Sequence, residues 1–168
     1  LITSSAASDV YKRQGLSGGV SYDYVVAARS SAGEGVRSSA LSVSTSPPAP
    51  GSVASVSQTT SSITLSWSAP VVTTGSAVTG YNVYMDDGIT GTPSSLVSCV
   101  GGGALDTTCI ADGLTGGVSY SFQVSASSTS GESDRSSVLA QATSPAAVGG
   151  TMTFSSVTMT SMTLTWTA

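Results

Sequence analysis

The sequence predicts an all-β protein built from antiparallel β-sandwiches arranged in tandem. Short segments alternate apolar and polar residues, a pattern typical of strands with one buried face. Turn signals rich in Gly and Pro separate these segments, and no stretch keeps a helical period of 3.6 residues. A self-similarity at an offset of about one domain length indicates more than one unit in the 168-residue chain.

The first residues are interpreted as a non-native leader. Residues 4–14 read SSAASDVYKRQ, which resembles the in-frame translation of a sequencing-library adapter over its whole length. A polar N-terminal tail is the alternative. Cloning scars are excluded from fold reasoning, so we treat residues 1–14 as the leader and begin the protein's own sequence at Gly15. Three arginines then stand against eight carboxylates, a net charge of −5.

An internal repeat divides the remaining chain. Residues 15–35, GLSGGVSYDYVVAARSSAGEG, return as GLTGGVSYSFQVSASSTSGES at residues 113–133, and residues 56–67 resemble residues 157–166. The offset between the first pair is 98 residues. We therefore expect the C-terminal part of one unit at residues 15–47, a complete unit at 48–144, and the N-terminal part of a third at 145–168.

Three segments of the complete unit show the clearest strand pattern. Each places apolar side chains on one face and mostly polar ones on the other. The apolar faces comprise Ile63, Leu65 and Trp67; then Tyr81, Val83 and Met85; then Tyr120, Phe122, Val124 and Ala126. Several short strands within roughly 100 residues are typical of a sandwich of two sheets.

These residues resemble the fibronectin type III family, an immunoglobulin-like β-sandwich. Family members carry a Trp in the second strand, Tyr-x-Val-Tyr in the third, and a Leu six residues before the Tyr that opens the sixth. The corresponding residues are Trp67, residues 81–84 (YNVY), Leu114 and Tyr120, with Leu16 and Tyr22 repeating the last pair in the first unit.

The resemblance implies a role for each of these residues. Trp67 and Trp166 are expected in the core, with Leu16 and Leu114 also structural. Tyr22 and Tyr120 are expected to be corner residues whose hydroxyls bond to nearby backbone. The sequence departs from the family where Pro and Thr are usual between the Leu and the Tyr. Gly116 and Val118 stand there, and Gly18 and Val20 in the first copy, a change that could loosen the corner.

Two cysteines flank a run of glycines at residues 101–103. Cys99 and Cys109 are expected to form a local disulfide that pins a hairpin, worth about 2–3 kcal/mol for so short a loop. Free thiols are the alternative, and a redox pair would lack the Cys-x-x-Cys spacing. An immunoglobulin domain would place its Trp between the cysteines, whereas Trp67 precedes both.

The inventory of residues argues against catalysis. The chain has no His, the commonest general base, and no Gly-x-Ser-x-Gly elbow or phosphate-binding glycine motif. Asp86 and Asp87 precede Gly88 and are expected to form a tight turn, because no calcium loop surrounds them. We expect no catalytic residue, no cofactor and no metal site, and therefore no enzyme activity in this chain.

The expected function is a structural or adhesive protein-interaction module, a spacer and binding array within a larger extracellular protein or ectodomain. Its partners would be other proteins or glycans, contacted by the loops at residues 30–37 and 128–135. Three cations disfavour nucleic acid, and no apolar run approaches the ~20 residues that span a bilayer. The alternatives are accessory domains of a secreted carbohydrate-active enzyme, a receptor ectodomain, or an intracellular scaffold.

Overall fold

The computed structural model describes residues 12–100, 103–147 and 149–166, and the elements in these ranges are all strands. The leader predicted at residues 1–14 lies outside the described residues except for its last three. The strands, in chain order, are β1 (Ser21–Tyr24), β2 (Arg29–Ser30), β3 (Gly33–Glu34), β4 (Leu41–Ser44), β5 (Gly51–Gln58), β6 (Ser62–Ser68), β7 (Val78–Met85), β8 (Ser95–Leu96), β9 (Thr108–Asp112), β10 (Ser119–Ser128), β11 (Gly131–Glu132), β12 (Leu139–Ala142), β13 (Thr153–Val157) and β14 (Met162–Thr165).

Strands β5 to β12 form two antiparallel sheets. One has the order β5-β6-β9, and the other has the order β11-β10-β7-β8 with β12 also paired to β10. In the second sheet Val124 lies opposite Val83, and Phe122 lies opposite Met85 on one side and Leu139 on the other. The predicted all-β class is confirmed.

The core lies between these two sheets and consists of their inward-facing side chains. The alternating pattern of the sequence places them there, because side chains of a strand point to opposite faces in turn. Trp67 contacts the ring of Tyr81 edge to face, with the ring centroids 5.4 Å apart. The buried apolar residues are Ile63, Leu65, Trp67, Val83, Cys109, Ala111, Leu114, Tyr120, Phe122, Val124 and Ala126.

The corner before β10 is held by two hydroxyl groups. The hydroxyl of Tyr120 accepts a hydrogen bond from the backbone N–H of Thr115 at 3.0 Å. The buried hydroxyl of Thr143 donates to the carbonyl of Thr115 at 2.7 Å and accepts from the N–H of Val118 at 3.2 Å. A Cβ on Gly116 would lie 3.1 Å from the carbonyl oxygen of Thr60, so the small residue lets the chain pack closely at this corner.

The segment predicted as part of a first unit, residues 15–47, repeats this corner at the same 98-residue offset; we keep the names first, complete and third unit for the three predicted segments. The N–H of Ser17 donates to the hydroxyl of Tyr22 at 2.9 Å, and the hydroxyl of Thr45 donates to the carbonyl of Ser17 at 2.8 Å. Strands β1 and β4 pair with each other, with Tyr22 opposite Val43. Leu16 and Tyr22 are half-buried, whereas Leu114 and Tyr120 are buried in the complete unit.

The segment predicted as part of a third unit, residues 145–168, has only the β13–β14 pair among its described residues. Trp166 is 61% exposed, and Phe154 in β13 is 71% exposed. The core role predicted for Trp166 is therefore not realised in this structure. A tryptophan is buried by a facing sheet, and the described residues of this unit contain none.

The disulfide predicted between Cys99 and Cys109 is present, with their Cα atoms 5.0 Å apart. Cys109 lies on β9 and is 2% exposed, while Cys99 follows β8, which belongs to the other sheet. The N–H of Val100 donates to the carbonyl of Ile110 at 3.2 Å. The disulfide therefore fastens the chain where it crosses from one sheet to the other. The two cysteines do not lie on two paired strands of one hairpin, as the prediction assumed. Gly101 and Gly102 of the predicted turn lie outside the described residues.

Candidate interaction surface

The loop at residues 128–135 extends from the longest strand of the complete unit. Strands β10 and β11 pair as a short hairpin, with Ser127 opposite Glu132 and Ser128 opposite Gly131. The hydroxyl of Ser128 accepts from the N–H of Ser130 at 3.1 Å and donates to the carbonyl of Gly131 at 3.1 Å. These bonds hold the turn in one conformation, so the side chains that follow it are presented in a fixed direction.

Glu132 is the acceptor around which this surface is organised. Its carboxylate accepts hydrogen bonds from the hydroxyl of Tyr84, at 2.7 Å, and from the hydroxyl of Ser125. The hydroxyl of Ser125 lowers the pKa of the Glu132 carboxyl the most, followed by Tyr84, Asn82 and the charge of Arg135. Each of these groups favours the ionised form.

Arg135, three residues after Glu132 in sequence, packs on the ring of the same tyrosine. Its guanidinium carbon lies 3.6 Å from the centroid of the Tyr84 ring, a cation–π contact. A terminal guanidinium nitrogen also donates to the carbonyl of Pro93 at 2.7 Å. Tyr84, Glu132 and Arg135 thus form one cluster, which we call the Tyr84 cluster. It places a carboxylate, an aromatic ring and a guanidinium together on the solvent face of the second sheet.

Two buried serines fasten the segment that carries this cluster. The hydroxyl of Ser133 accepts from the N–H of Ala126 at 2.9 Å, and the hydroxyl of Ser136 accepts from the N–H of Val124 at 3.0 Å. Both strand amides are buried and would otherwise lack a partner, which makes these bonds energetically important. The scaffold beneath the Tyr84 cluster is therefore tied to β10.

In the first unit Glu34 and Arg37 stand at the positions of Glu132 and Arg135, but they make a different contact. Arg37 forms an ion pair with Glu34 at 3.2 Å, and its side chain is 68% exposed. Exposed ion pairs of this kind contribute little to stability. No described strand of this unit occupies the place of β7, so no tyrosine supports Arg37 as Tyr84 supports Arg135. The complete cluster forms in the complete unit alone among the described residues.

The predicted turn at residues 86–88 is structural. Asp86 is 3% exposed, and its carboxylate accepts from the N–H groups of Ser121, at 3.0 Å, and Gly88, at 3.2 Å. Asp87 is exposed, and the backbone N–H groups of Thr90 and Ile89 lower the pKa of its carboxyl. Across the ranges that the structure covers, no group of three or more His, Cys, Asp or Glu could hold a metal ion.

Two cavities lie near these elements. One, of about 510 Å³, lies between the first and complete units and is lined by Leu16, Pro47, Pro48, Glu132 and Asp134 among others. The other, of about 200 Å³, lies beside the Trp67 and Tyr81 rings. The indole N–H of Trp67 is buried without a hydrogen-bond acceptor among the described residues.

The loop at residues 128–135, predicted as a contact loop, carries Glu132 and Arg135, whereas Tyr84 was not among the predicted site residues. Tyr84 belongs to the predicted strand motif at residues 81–84, and its half-buried side chain lies on the face opposite to that of the buried Val83. The signal that could have found it is a tyrosine on the solvent face of β7, the strand adjacent to β10. Trp67, Leu114 and Tyr120 lie in the core and not on this surface.

The two-sheet sandwich, its tyrosine corner and its strand order define a class of small β-sandwich modules. The family model "Fibronectin type III domain" matches residues 46–142. The chain belongs to the fibronectin type III family.

Two comparisons with individual proteins extend this result. Chitinase A1 of Niallia circulans is 37% identical over 127 residues, which make up 70% of this chain and 16% of that protein. The chain therefore spans about a sixth of the length of this curated relative. The solved fourth type III domain of a human protein matches with a TM-score of 0.53 and 23% identity, covering 62% of this chain and 84% of that one. Among the described residues, no helix has the length and apolar character needed to cross a membrane.

Proposed function

We propose that the chain is a non-catalytic spacer and protein-interaction segment of a larger extracellular or ectodomain protein, built from serial type III units. The proposed division is a leader at residues 1–14, part of a unit at 15–47, a complete unit at 48–144 and part of a third at 145–168. The partners are other proteins or glycans.

The Tyr84 cluster is the observation that carries this proposal. Only 8% of the residues are charged. Arg135 and Glu132 both contact the side chain of Tyr84. They lie on a segment that buried serines hold in place. Tyrosine and arginine, together with tryptophan, are enriched among the residues that dominate binding energy at protein interfaces.

A binding comparison between matched variants tests the proposal. The wild-type chain is immobilised and exposed to extracellular proteins of its source, beside Arg135→Ala and Arg37→Ala. Arg37→Ala is the control, because Arg37 stands at the position of Arg135 in the repeat. It pairs with Glu34 but does not pack on a tyrosine ring. Arg135→Ala should lose specifically retained proteins, whereas Arg37→Ala should keep them. Identical retention by all three chains would contradict a role for the Tyr84 cluster.

A second candidate is an accessory segment of a secreted carbohydrate-active enzyme. The similarity to chitinase A1 over 127 residues favours this context. The full-length open reading frame discriminates the candidates. A catalytic domain would support the enzyme context, and a downstream transmembrane segment would support a receptor ectodomain. Free thiols at Cys99 and Cys109 in native material would instead favour an intracellular scaffold.

A further inference from the structure

Hydrogen bonds cross the boundary between the first and the complete unit. The carbonyl of Gly19, in the corner before β1, accepts from the N–H groups of Thr73 at 3.2 Å and Gly75 at 3.0 Å. The hydroxyl of Thr74 accepts from the N–H of Ser21 at 3.1 Å. The β6–β7 loop, residues 72–75, is thus bonded to the preceding unit by backbone and side chain together.

The approach at this boundary leaves no room for a side chain. A Cβ on Gly75 would lie 2.6 Å from the carbonyl carbon of Gly19 and 2.8 Å from its oxygen. These are backbone atoms, which cannot turn aside as the end of a flexible side chain can. Gly19 itself has φ +69°, in the left-handed region that favours glycine. Both sides of the contact therefore depend on glycine.

The equivalent corner of the complete unit serves as a comparison, because no loop of a following unit packs on it among the described residues. Gly117 occupies the position of Gly19, has φ +74°, and donates to Ser144 at 3.1 Å, as Gly19 donates to Ser46 at 2.7 Å. Gly19 is buried, whereas Gly117 is exposed. Because the local backbone bonds are alike, the difference in burial reflects what packs onto Gly19 from outside the corner.

The connector adds a second restraint. Residues 46–50 read Ser-Pro-Pro-Ala-Pro, and each proline fixes its own φ near −65°. Proline-rich connectors behave as semi-rigid spacers. A Cβ on Gly19 would lie 3.1 Å from the ring of Pro48, so this connector also packs against the corner.

We propose that the Gly18–Gly19 corner and the loop at residues 72–75 form an interdomain joint that fixes consecutive units in one relative orientation. The partner that this surface fits is the β6–β7 loop of the following type III unit. The inference rests on the proposed spacer function and specifies how the spacing is set.

Amide hydrogen exchange of the whole 168-residue chain, followed by NMR, tests the joint. In the wild type the amides of Thr73 and Gly75 should exchange slowly. Gly75→Ala should accelerate exchange at Thr73 by about tenfold or more, since the joint can no longer close. Gly51→Ala is the matched control, because its Cβ meets nothing within 4 Å. It should leave exchange at Thr73 unchanged.

A second pair of variants shows whether the change in exchange comes from the joint or from a change of the β6–β7 loop itself. Gly19→Ala lies outside the complete unit and should accelerate exchange at both Thr73 and Gly75. Gly15→Ala is its control, since Gly15 has a similar φ of +72° and open space around it. Exchange at Thr73 and Gly75 as fast as at solvent-exposed loop amides in the wild type would overturn the joint. That result would leave the Arg135→Ala binding comparison unaffected, so the failures of the two proposals are distinguishable.

Discussion

Removing the hydroxyl of Tyr120 isolates the contribution of the corner before β10. Tyr120 is 6% exposed in the core, and its hydroxyl accepts a hydrogen bond from the N–H of Thr115 at 3.0 Å. Tyr120→Phe keeps the ring and removes only this acceptor. Because Thr115 is exposed and water can partly replace the oxygen, the net cost should be about 1 kcal/mol. For a domain of this size that lowers Tm by about 4–8 °C.

The repeat supplies the control for this measurement. Tyr22→Phe deletes the equivalent acceptor for Ser17, which lies 2.9 Å away, but in the first unit. Urea unfolding followed by far-UV circular dichroism should show a lower midpoint for Tyr120→Phe and an unchanged main transition for Tyr22→Phe. An unchanged midpoint for Tyr120→Phe, with the same urea dependence, would refute the reasoning. Equal shifts in both variants would show that the first unit unfolds together with the complete one.

Three further outcomes are expected from urea unfolding. Replacing Cys99 and Cys109 together by Ala should lower the free energy of unfolding by about 2–3 kcal/mol, and an unchanged midpoint would contradict this. The lowered pKa of Glu132 means that its stabilisation is present above its unfolded pKa of about 4.3 and is lost as pH falls through the folded value. Glu132→Gln should therefore be less stable than wild type at pH 7, by at most about 1 kcal/mol because the site is exposed. The difference should vanish near pH 3, and a pH-independent difference would argue against it. Asp86→Ala should cost about 2 kcal/mol, because the partly buried N–H of Ser121 loses its carboxylate acceptor, and full stability would count against that bond.

Local patterns were sufficient to predict three strands of the complete unit, β6, β7 and β10, and most of the core side chains that they carry. Ile63, Leu65 and Trp67 alternate with polar residues, and such alternation dictates which side chains face the opposite sheet. The spacing from Leu114 to Tyr120 likewise identified the corner through its family resemblance. These features depend on residues near one another in sequence, so a sequence pattern contains them.

Contacts between distant residues could not be predicted in the same way. Tyr84 and Arg135 meet because β7 lies beside β10, and the bond between Gly19 and Gly75 depends on how one unit meets the next. Neither relation leaves a periodic signal. Trp166 shows the converse limit: strand β14 forms directly before it, but burial of its side chain also requires a facing sheet.

The two flanking units should differ in stability even though both contribute few strands. Isolated pairs of strands are marginal in water, so cooperative unfolding should come from the complete unit. Strands β13 and β14 are exposed throughout, with Leu164 at 44% and Met162 at 60% exposure. Strand β1, in contrast, is bonded to the complete unit through Ser21 and Thr74.

Amide exchange should therefore rank β10 slowest, β1 intermediate and β13 fastest. The ranking has a physical basis: β10 opens with global unfolding, β1 opens when its contact with the complete unit breaks, and β13 opens when its pairing with β14 alone is lost. Protection of β1 equal to that of β10 would mean that the first unit is an integral part of one cooperative fold. Protection of β1 no greater than that of β13 would mean that the contact between Ser21 and Thr74 contributes nothing to its stability.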